Sequence, residues 1–270
     1  MASKPKVIMF GNKKGGVGKT THTIHTAGIL SHYGHRVLVI DQDTQQSVFA
    51  NYNRRKRAGE KSLAYDYHYQ WEPLTQERIQ ELGEGYDFIL IDSPPGTEDG
   101  STGRVEIRKS TPQAFLVSDL VVMPFKMGSN DVDSGLSYVN YFRRHYERQV
   151  KITGKSARAI VVPNDLRIDR AWSTVYSGVN KVMLKWADSG VTLSDVIIWN
   201  YSDYDRTQFA GMTAADLPRS RPRILFEKLV FEKFCEPLGI PDPRSEDEKL
   251  IANEMVSKSW AEAKVDYEKA

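Results

Sequence analysis

The segment Lys13-Lys14-Gly15-Gly16-Val17-Gly18-Lys19-Thr20-Thr21 carries residue types and spacing suited to holding a phosphate chain. Glycines let successive backbone N–H groups curl around oxygens, because no Cβ intrudes. Lys19 supplies a compact positive charge for β- and γ-phosphates, and the Thr20 hydroxyl is suited to Mg2+. A strand-like run, Lys6–Phe10, precedes the segment and a helical pattern opens near Lys19. The positive end of that helix would add to the anion cradle. The general pattern GxxxxGK[ST] is not met, since Lys13 stands at its first glycine position; the variant KGGxGK[ST] is met, with an additional lysine, Lys14, near its start.

Two further segments end apolar runs in aspartate: VLVIDQD over Val37–Asp43 and YDFILIDSPPG over Tyr86–Gly96. In an open α/β sheet the carboxyl ends of strands line the ligand crevice, so Asp41, Asp43 and Asp92 are candidates to face a nucleotide. A carboxylate there can hold Mg2+ through the ion's water shell, and Asp92 fits that role. Each aspartate alone would serve equally as a helix cap or turn former. Their common order and strand context favour function.

The elements that must position these groups follow from periodicity. Lys6–Phe10, Arg36–Ile40, Tyr86–Ile91, Leu120–Pro124, Ala157–Val162 and Val196–Trp199 are short and uniformly apolar, which predicts buried strands. Ala64–Gln70 alternates and reads as a less buried edge strand. Helical patterns cover Lys19–Tyr33, Thr75–Leu82, Val132–Arg148 and Arg170–Ala187, and a helix also follows the second strand. This alternation predicts an α/β fold: a mainly parallel sheet with helices on both faces. The last third reads as helical, over Tyr204–Asp216, Arg223–Phe234 and Glu246–Tyr267, punctuated by prolines. One domain over 1–270, with about 218–270 as its helical C-terminal extension, accounts for the pattern at 270 residues.

Composition narrows the classes. Lys plus Arg number 37 against 35 Asp plus Glu, a net charge of +2, so any nucleic-acid contact must come from local patches. Cys235 is the single cysteine, which excludes an internal disulfide and a cysteine-built cluster and predicts a buried apolar thiol. No signal-peptide region opens the chain, and no run approaches the ~20 apolar residues of a membrane span, so a cytoplasmic protein is expected.

The KGGxGK[ST] segment with Lys14 resembles the deviant Walker A motif of the ParA/MinD superfamily of P-loop NTPases. The resemblance extends from Lys6 to about Thr213. DQDTQ at Asp41–Gln45 is similar to the family's DxDPQ, with Thr44 in place of proline. Ser118–Gly135 resembles a strand ending in proline that leads to a dimer-facing loop, and Asp205–Met212 resembles the REAxxxG helix and turn. The resemblance implies an ATPase with ATP and Mg2+ as cofactors, bound by Lys14, Gly15, Gly16, Val17, Gly18, Lys19, Thr20 and Thr21. It implies catalytic roles for Lys14, Lys19 and Asp43, the last positioning the attacking water. Thr20, Asp41 and Asp92 are implied at the metal, and Asn164, in AIVVPND, at the adenine. It further implies an ATP-bound homodimer in which Lys14 reaches the partner's nucleotide.

With about five residues ahead of the first strand and a short interval from Asp43 to Asp92, the chain looks like the small ParF-type plasmid partition ATPases. Those lack an operator-binding domain, bind DNA without sequence preference and are stimulated by a ParB-like or ParG-like centromere-binding partner. A nucleoid-associated protein is then expected. RSRPR at Arg219–Arg223 is the preferred DNA-contacting cluster and RRKR at Arg54–Arg57 the second. The alternative is a MinD-like or cargo-positioning ATPase acting on a membrane or protein cluster. Against a membrane, Glu246–Ala270 holds seven acidic residues and four lysines, and Ile251, Met255, Trp260 and Ala263 are expected to pack on the protein. Nitrogenase iron-protein-like chemistry needs more cysteine than one per chain. Ligase relatives of the biotin pathway stay open, although they have no need of an inter-subunit lysine.

Overall fold

The β1 strand, Lys6–Phe10, is buried on both faces: Val7 and Met9 point into one apolar cluster, Ile8 and Phe10 into the other. That alternation, with both sides apolar, places β1 at the centre of a sheet covered twice over. The computed structural model describes residues 4–59, 65–98, 105–106, 111–126, 129–154, 156–166, 172–185 and 190–268. After β1 come α1 (Lys19–His32), β2 (Val37–Asp41), α2 (Ser47–Arg57), β3 (Asp66–Tyr69), α3 (Gln76–Leu82) and β4 (Phe88–Asp92). A two-stranded ribbon, β5 (Thr97–Glu98) and β6 (Val105–Glu106), leads to α4 (Thr111–Val117), β7 (Leu120–Lys126) and α5 (Ser129–Thr153). Then follow β8 (Arg158–Leu166), α6 (Trp172–Lys185), β9 (Val191–Leu193), β10 (Ile198–Trp199) and α7 (Ser202–Phe209). The remainder comprises α8 (Arg221–Lys228), a π-helical continuation over Leu229–Cys235 and α9 (Glu246–Glu268).

The sheet runs β10-β8-β7-β1-β4-β2-β3, with β9 beside β8, and every pairing in it is parallel. Helix α1 carries the chain from β1 outward to β2, β4 then inserts between them, and β7 lies on the other flank of β1. The switch in direction therefore falls at β1, whose carboxyl end opens the crevice expected of such sheets. One face is covered by α1, α2, α7 and α8, through Ile24, Leu30, Val48, Tyr204 and Phe226. The other is covered by α3, α4, α5 and α6, through Ile79, Phe115, Phe142 and Met183. Each fully buried Val, Ile or Phe of this kind stabilises by roughly 1.5–3 kcal/mol.

The predicted strands reappear with shifted ends. The Tyr86–Ile91 run begins two residues later and takes in Asp92; β7 continues past Pro124 to Lys126; β8 spans Arg158–Leu166. Of the predicted Val196–Trp199 strand only Ile198 and Trp199 pair, across a register shift against β8. β3 is the edge strand that its alternation suggested, although residue 64 lies outside the described residues. Cys235 is buried. In α9, Trp260 donates to the Asp195 carbonyl at 3.0 Å and stacks edge-on against Tyr176. Ile251 corrects the expectation that it packs inward: it is 41% exposed, and Ala252 beside it is the buried residue. Residue 263 has no described side chain. No helix among the described residues is long and apolar enough to cross a membrane.

Candidate nucleotide site

The loop from Gly11 to Gly18 leaves the end of β1 under tight local control. A Cβ at Gly11 would lie 2.5 Å from the Tyr138 hydroxyl, so only glycine lets α5 approach there. Asn12 is buried and ties the loop to its neighbour: its Nδ2 donates to the Pro124 carbonyl at 2.9 Å, and its Oδ1 accepts from the Lys14 N–H at 3.1 Å. Gly16 and Gly18 take φ of +69° and +100°, values that side chains with a Cβ rarely adopt. Among the described residues nothing lies within 4 Å of where a Cβ on Gly15 or Gly16 would stand, so the outer side of the loop is open to them.

Lys19 begins α1 with its side chain folded back over the loop, Nζ donating to the Lys14 carbonyl at 3.1 Å. Burial draws its pKa down, opposed by the charges of Asp92 and then Asp43. Thr20 donates to Asp92 Oδ2 at 2.7 Å and Thr23 to Asp92 Oδ1 at 3.1 Å, so both carboxylate oxygens are held from α1. Lys14 is half-buried, next to exposed Gly15, and Lys13 reaches Ser137 Oγ at 3.0 Å.

Parallel register sets the two strand-end carboxylates side by side, with Asp41 opposite Asp92 across β2 and β4. Asp41 Oδ1 accepts from the Asp43 N–H at 2.9 Å, while its buried Oδ2 has no hydrogen-bond partner among the described residues. Burial first, and the charge of Asp92 second, push Asp41 up to about 7. Burial raises Asp92 to about 6 against the pull of Thr20 and Lys19. Asp43 is half-buried at the start of the turn, its Oδ1 accepting from the Gln45 N–H at 3.0 Å. The turn ends at Gln46, whose φ of +49° opens α2.

Asn164 stands at the carboxyl end of β8, behind the loop. Its Nδ2 donates to the Val17 carbonyl at 2.8 Å and its Oδ1 meets His22 Nε2 at 2.8 Å. A cavity of about 260 Å³ beside it is lined by Gly18, Thr21, Lys126, Asn200, Tyr201 and Asp205. The structure thus brings Lys14 through Thr21, Asp41, Asp43, Asp92 and Asn164 to one crevice. Sequence reasoning missed Asn200, Tyr201 and His22. The first two follow a strand only two residues long, and a histidine inside a helix carries no spacing signal.

The basic clusters are more structural than expected. In the preferred RSRPR cluster, Arg219 pairs with Glu248, and Arg223 bonds Glu227 at 2.8 Å and the carbonyls of Ala215 and Leu217. In RRKR, Arg55 is buried and bidentate on Asp216 at 2.8 and 3.1 Å, and Arg54 lies 4.9 Å over the Phe209 ring. Lys56 and Arg57 remain exposed at the end of α2.

A family model described as an AAA domain matches residues 5–67. The carboxysome distribution protein A of Gloeobacter kilaueensis is 32% identical over 142 residues, 51% of this chain and 62% of that protein. The chromosome-partitioning ATPase Soj of Thermus thermophilus is 31% identical over 125 residues, 35% of this chain and 48% of that protein. The chain thus matches less than two thirds of the length of either relative. A Cyanothece McdA–ATP complex superposes with a TM-score of 0.64 at 17% identity, over 90% of this chain and all of that one. At that identity the likeness is one of fold.

Proposed function

This chain belongs to the ParA/MinD superfamily of P-loop proteins, and from that premise we propose that it is a Mg2+-dependent ATPase of DNA segregation. The observation that carries the reading is the joint geometry of Lys19, Thr20 and Asp92 beneath an open glycine loop. Lys19 would release the Lys14 carbonyl and turn its charge to the β- and γ-phosphates, while the backbone N–H groups of Gly15 to Lys19 receive the remaining oxygens. Thr20, Asp92 and Asp41 fit a hydrated Mg2+, an ion that takes few protein ligands and keeps several waters. Two features support the fit: the orphaned Asp41 oxygen, and a carboxylate pair whose pKa values burial has raised and a cation would lower. When bound, the ion would neutralise developing phosphate charge.

Asp43 would orient the attacking water from the turn after β2. Lys14 would reach the nucleotide of a second copy and so tie dimerisation to ATP. Asn164 is proposed on the adenine side, where it borders the cavity; its Oδ1 and one Nδ2 hydrogen are engaged within the chain, and the second Nδ2 hydrogen is the donor it would offer a base. For non-specific DNA, Lys56 and Arg57 replace RSRPR as the preferred contacts, because the RSRPR donors Arg219 and Arg223 are bound internally. A ParB-like or ParG-like partner would stimulate turnover.

A second reading, in which the cargo is a protein assembly rather than a plasmid, is favoured by the similarity to the carboxysome distribution protein. A MinD-like membrane role draws less support, as three acidic residues open α9. Nucleotide binding by wild type and Lys19→Ala is the first test: full ATP affinity in the variant would remove the phosphate-loop assignment. Co-sedimentation with DNA under ATP, ADP and no nucleotide separates the readings; ATP-dependent pelleting is expected, and its absence would turn the account to a protein cargo.

A further inference from the structure

His22 lies one turn inside α1, fully buried, with ring centroids of Phe10 and Phe226 at 6.5 and 5.3 Å. Its proton can be placed by elimination. The Val17 carbonyl only accepts, so the NH2 end of the Asn164 amide must face it, at 2.8 Å. The Asn164 Oδ1 then faces His22 at 2.8 Å and also only accepts, so His22 Nε2 must donate. Nδ1 is left as a bare lone pair with no partner among the described residues. Burial agrees with a neutral ring, pushing His22 down to about 4.

The end of this relay is part of the anion cradle. Asn164 reaches the Val17 carbonyl because Gly18 has no side chain: a Cβ there would lie 2.3 Å from the amide nitrogen. A trans peptide is planar, so a carbonyl drawn towards Asn164 turns the following Gly18 N–H to the opposite side. Without a donor at His22 the Asn164 Oδ1 would be buried and unmatched, and the amide would be held from its Val17 end alone. His25 provides an internal contrast. It lies on the same helix and is equally buried, but its Nδ1 accepts from the Ala214 N–H at 3.0 Å, away from the loop.

We propose that His22 is a positioning residue for the phosphate loop: by donating to Asn164 it holds the amide that orients the Val17–Gly18 peptide for anion binding. The proposal rests on the nucleotide-site reading above. His22→Leu removes the donor, His22→Gln restores one at a similar reach, and His25→Leu tests packing alone. Two measurements are made on each: the Kd of an ATP analogue, and amide hydrogen exchange across residues 13–20 in nucleotide-free protein. His22→Leu should raise Kd about tenfold, as leaving one buried acceptor unmatched implies, and should speed exchange in the loop. His22→Gln should recover both, and His25→Leu should lower the melting temperature while changing neither. Unchanged Kd and exchange in His22→Leu would overturn the proposal, as would equal changes in His25→Leu. If His22→Leu fails to fold, Asn164→Ala removes the same hold on Val17 and is judged by loop exchange in nucleotide-free protein alone, because Asn164 also borders the proposed adenine side: faster exchange supports the relay and unchanged exchange overturns it. A wild type that binds no nucleotide would defeat the function proposed above, and the exchange comparison alone would then decide the relay.

Discussion

Replacing Asp41 by Asn should make the nucleotide-free protein more stable at pH 8. The side chain is fully buried beside Asp92, and its pKa is pushed up from 3.8 to about 7. An acid that binds its proton more tightly when folded lowers stability as pH rises, here from about 4 to about 7, after which the loss is constant. Some three pKa units at about 1.36 kcal/mol each place the penalty near 4 kcal/mol above pH 7. Asn keeps the acceptor for the Asp43 N–H but buries an unmatched NH2 at the Oδ2 position, a cost of about 1–3 kcal/mol. The net gain at pH 8 is then about 1–3 kcal/mol, or roughly 2–10 °C in Tm for a chain of this size. At pH 5 the wild-type carboxylate is largely protonated in the fold, and the difference should vanish or reverse. Thermal melts at both pH values, with EDTA and without nucleotide, give the comparison. With Mg2+ and an ATP analogue the ranking should invert, because the variant has lost a charge that the cation would compensate. A Tm difference independent of pH, or an Asn variant less stable than wild type at pH 8, would refute the reasoning.

Gly18→Ala should cost about 2–4 kcal/mol and nearly abolish nucleotide binding, since its φ of +100° and the Asn164 amide both exclude a Cβ; denaturant titration and ATP-analogue binding check it. Arg55→Ala should destabilise by about 2 kcal/mol by removing the bidentate partner of Asp216, which keeps its bonds from Thr213, whereas Arg57→Ala, exposed two residues on, should stay within about 0.5 kcal/mol. Denaturation midpoints of the two variants measure that contrast.

The sheet was legible because its strands are buried on both faces, which leaves uninterrupted apolar runs such as Val7–Phe10 and Phe88–Ile91. Strand ends were less so, since Lys126 and Asp92 take ladder hydrogen bonds that polarity alone does not reveal. β9 and the π-helical turn at Leu229–Cys235 left no sequence signal, one being too short and the other apolar enough to read as ordinary helix. The phosphate loop and the aspartates were legible because chemistry fixes their types and their strand supplies the place. The Arg55–Asp216 pair and the His22–Asn164 contact span 161 and 142 residues, distances over which a single sequence carries no pairing information. The internal partners of RSRPR were hidden for the same reason: Arg219 and Arg223 meet Glu248 and Glu227 only once the C-terminal helices have packed.

On the proposed function, Lys14 couples this cradle to a second copy of the chain. Sedimentation of wild type and Lys14→Ala with Mg2+ and a non-hydrolysable ATP analogue decides the matter. Wild type should sediment at twice the 30.7 kDa chain mass only with the analogue, and the variant should bind nucleotide yet remain at the monomer mass. Wild type held at the monomer mass under saturating analogue, or a variant that dimerises as readily, would contradict it.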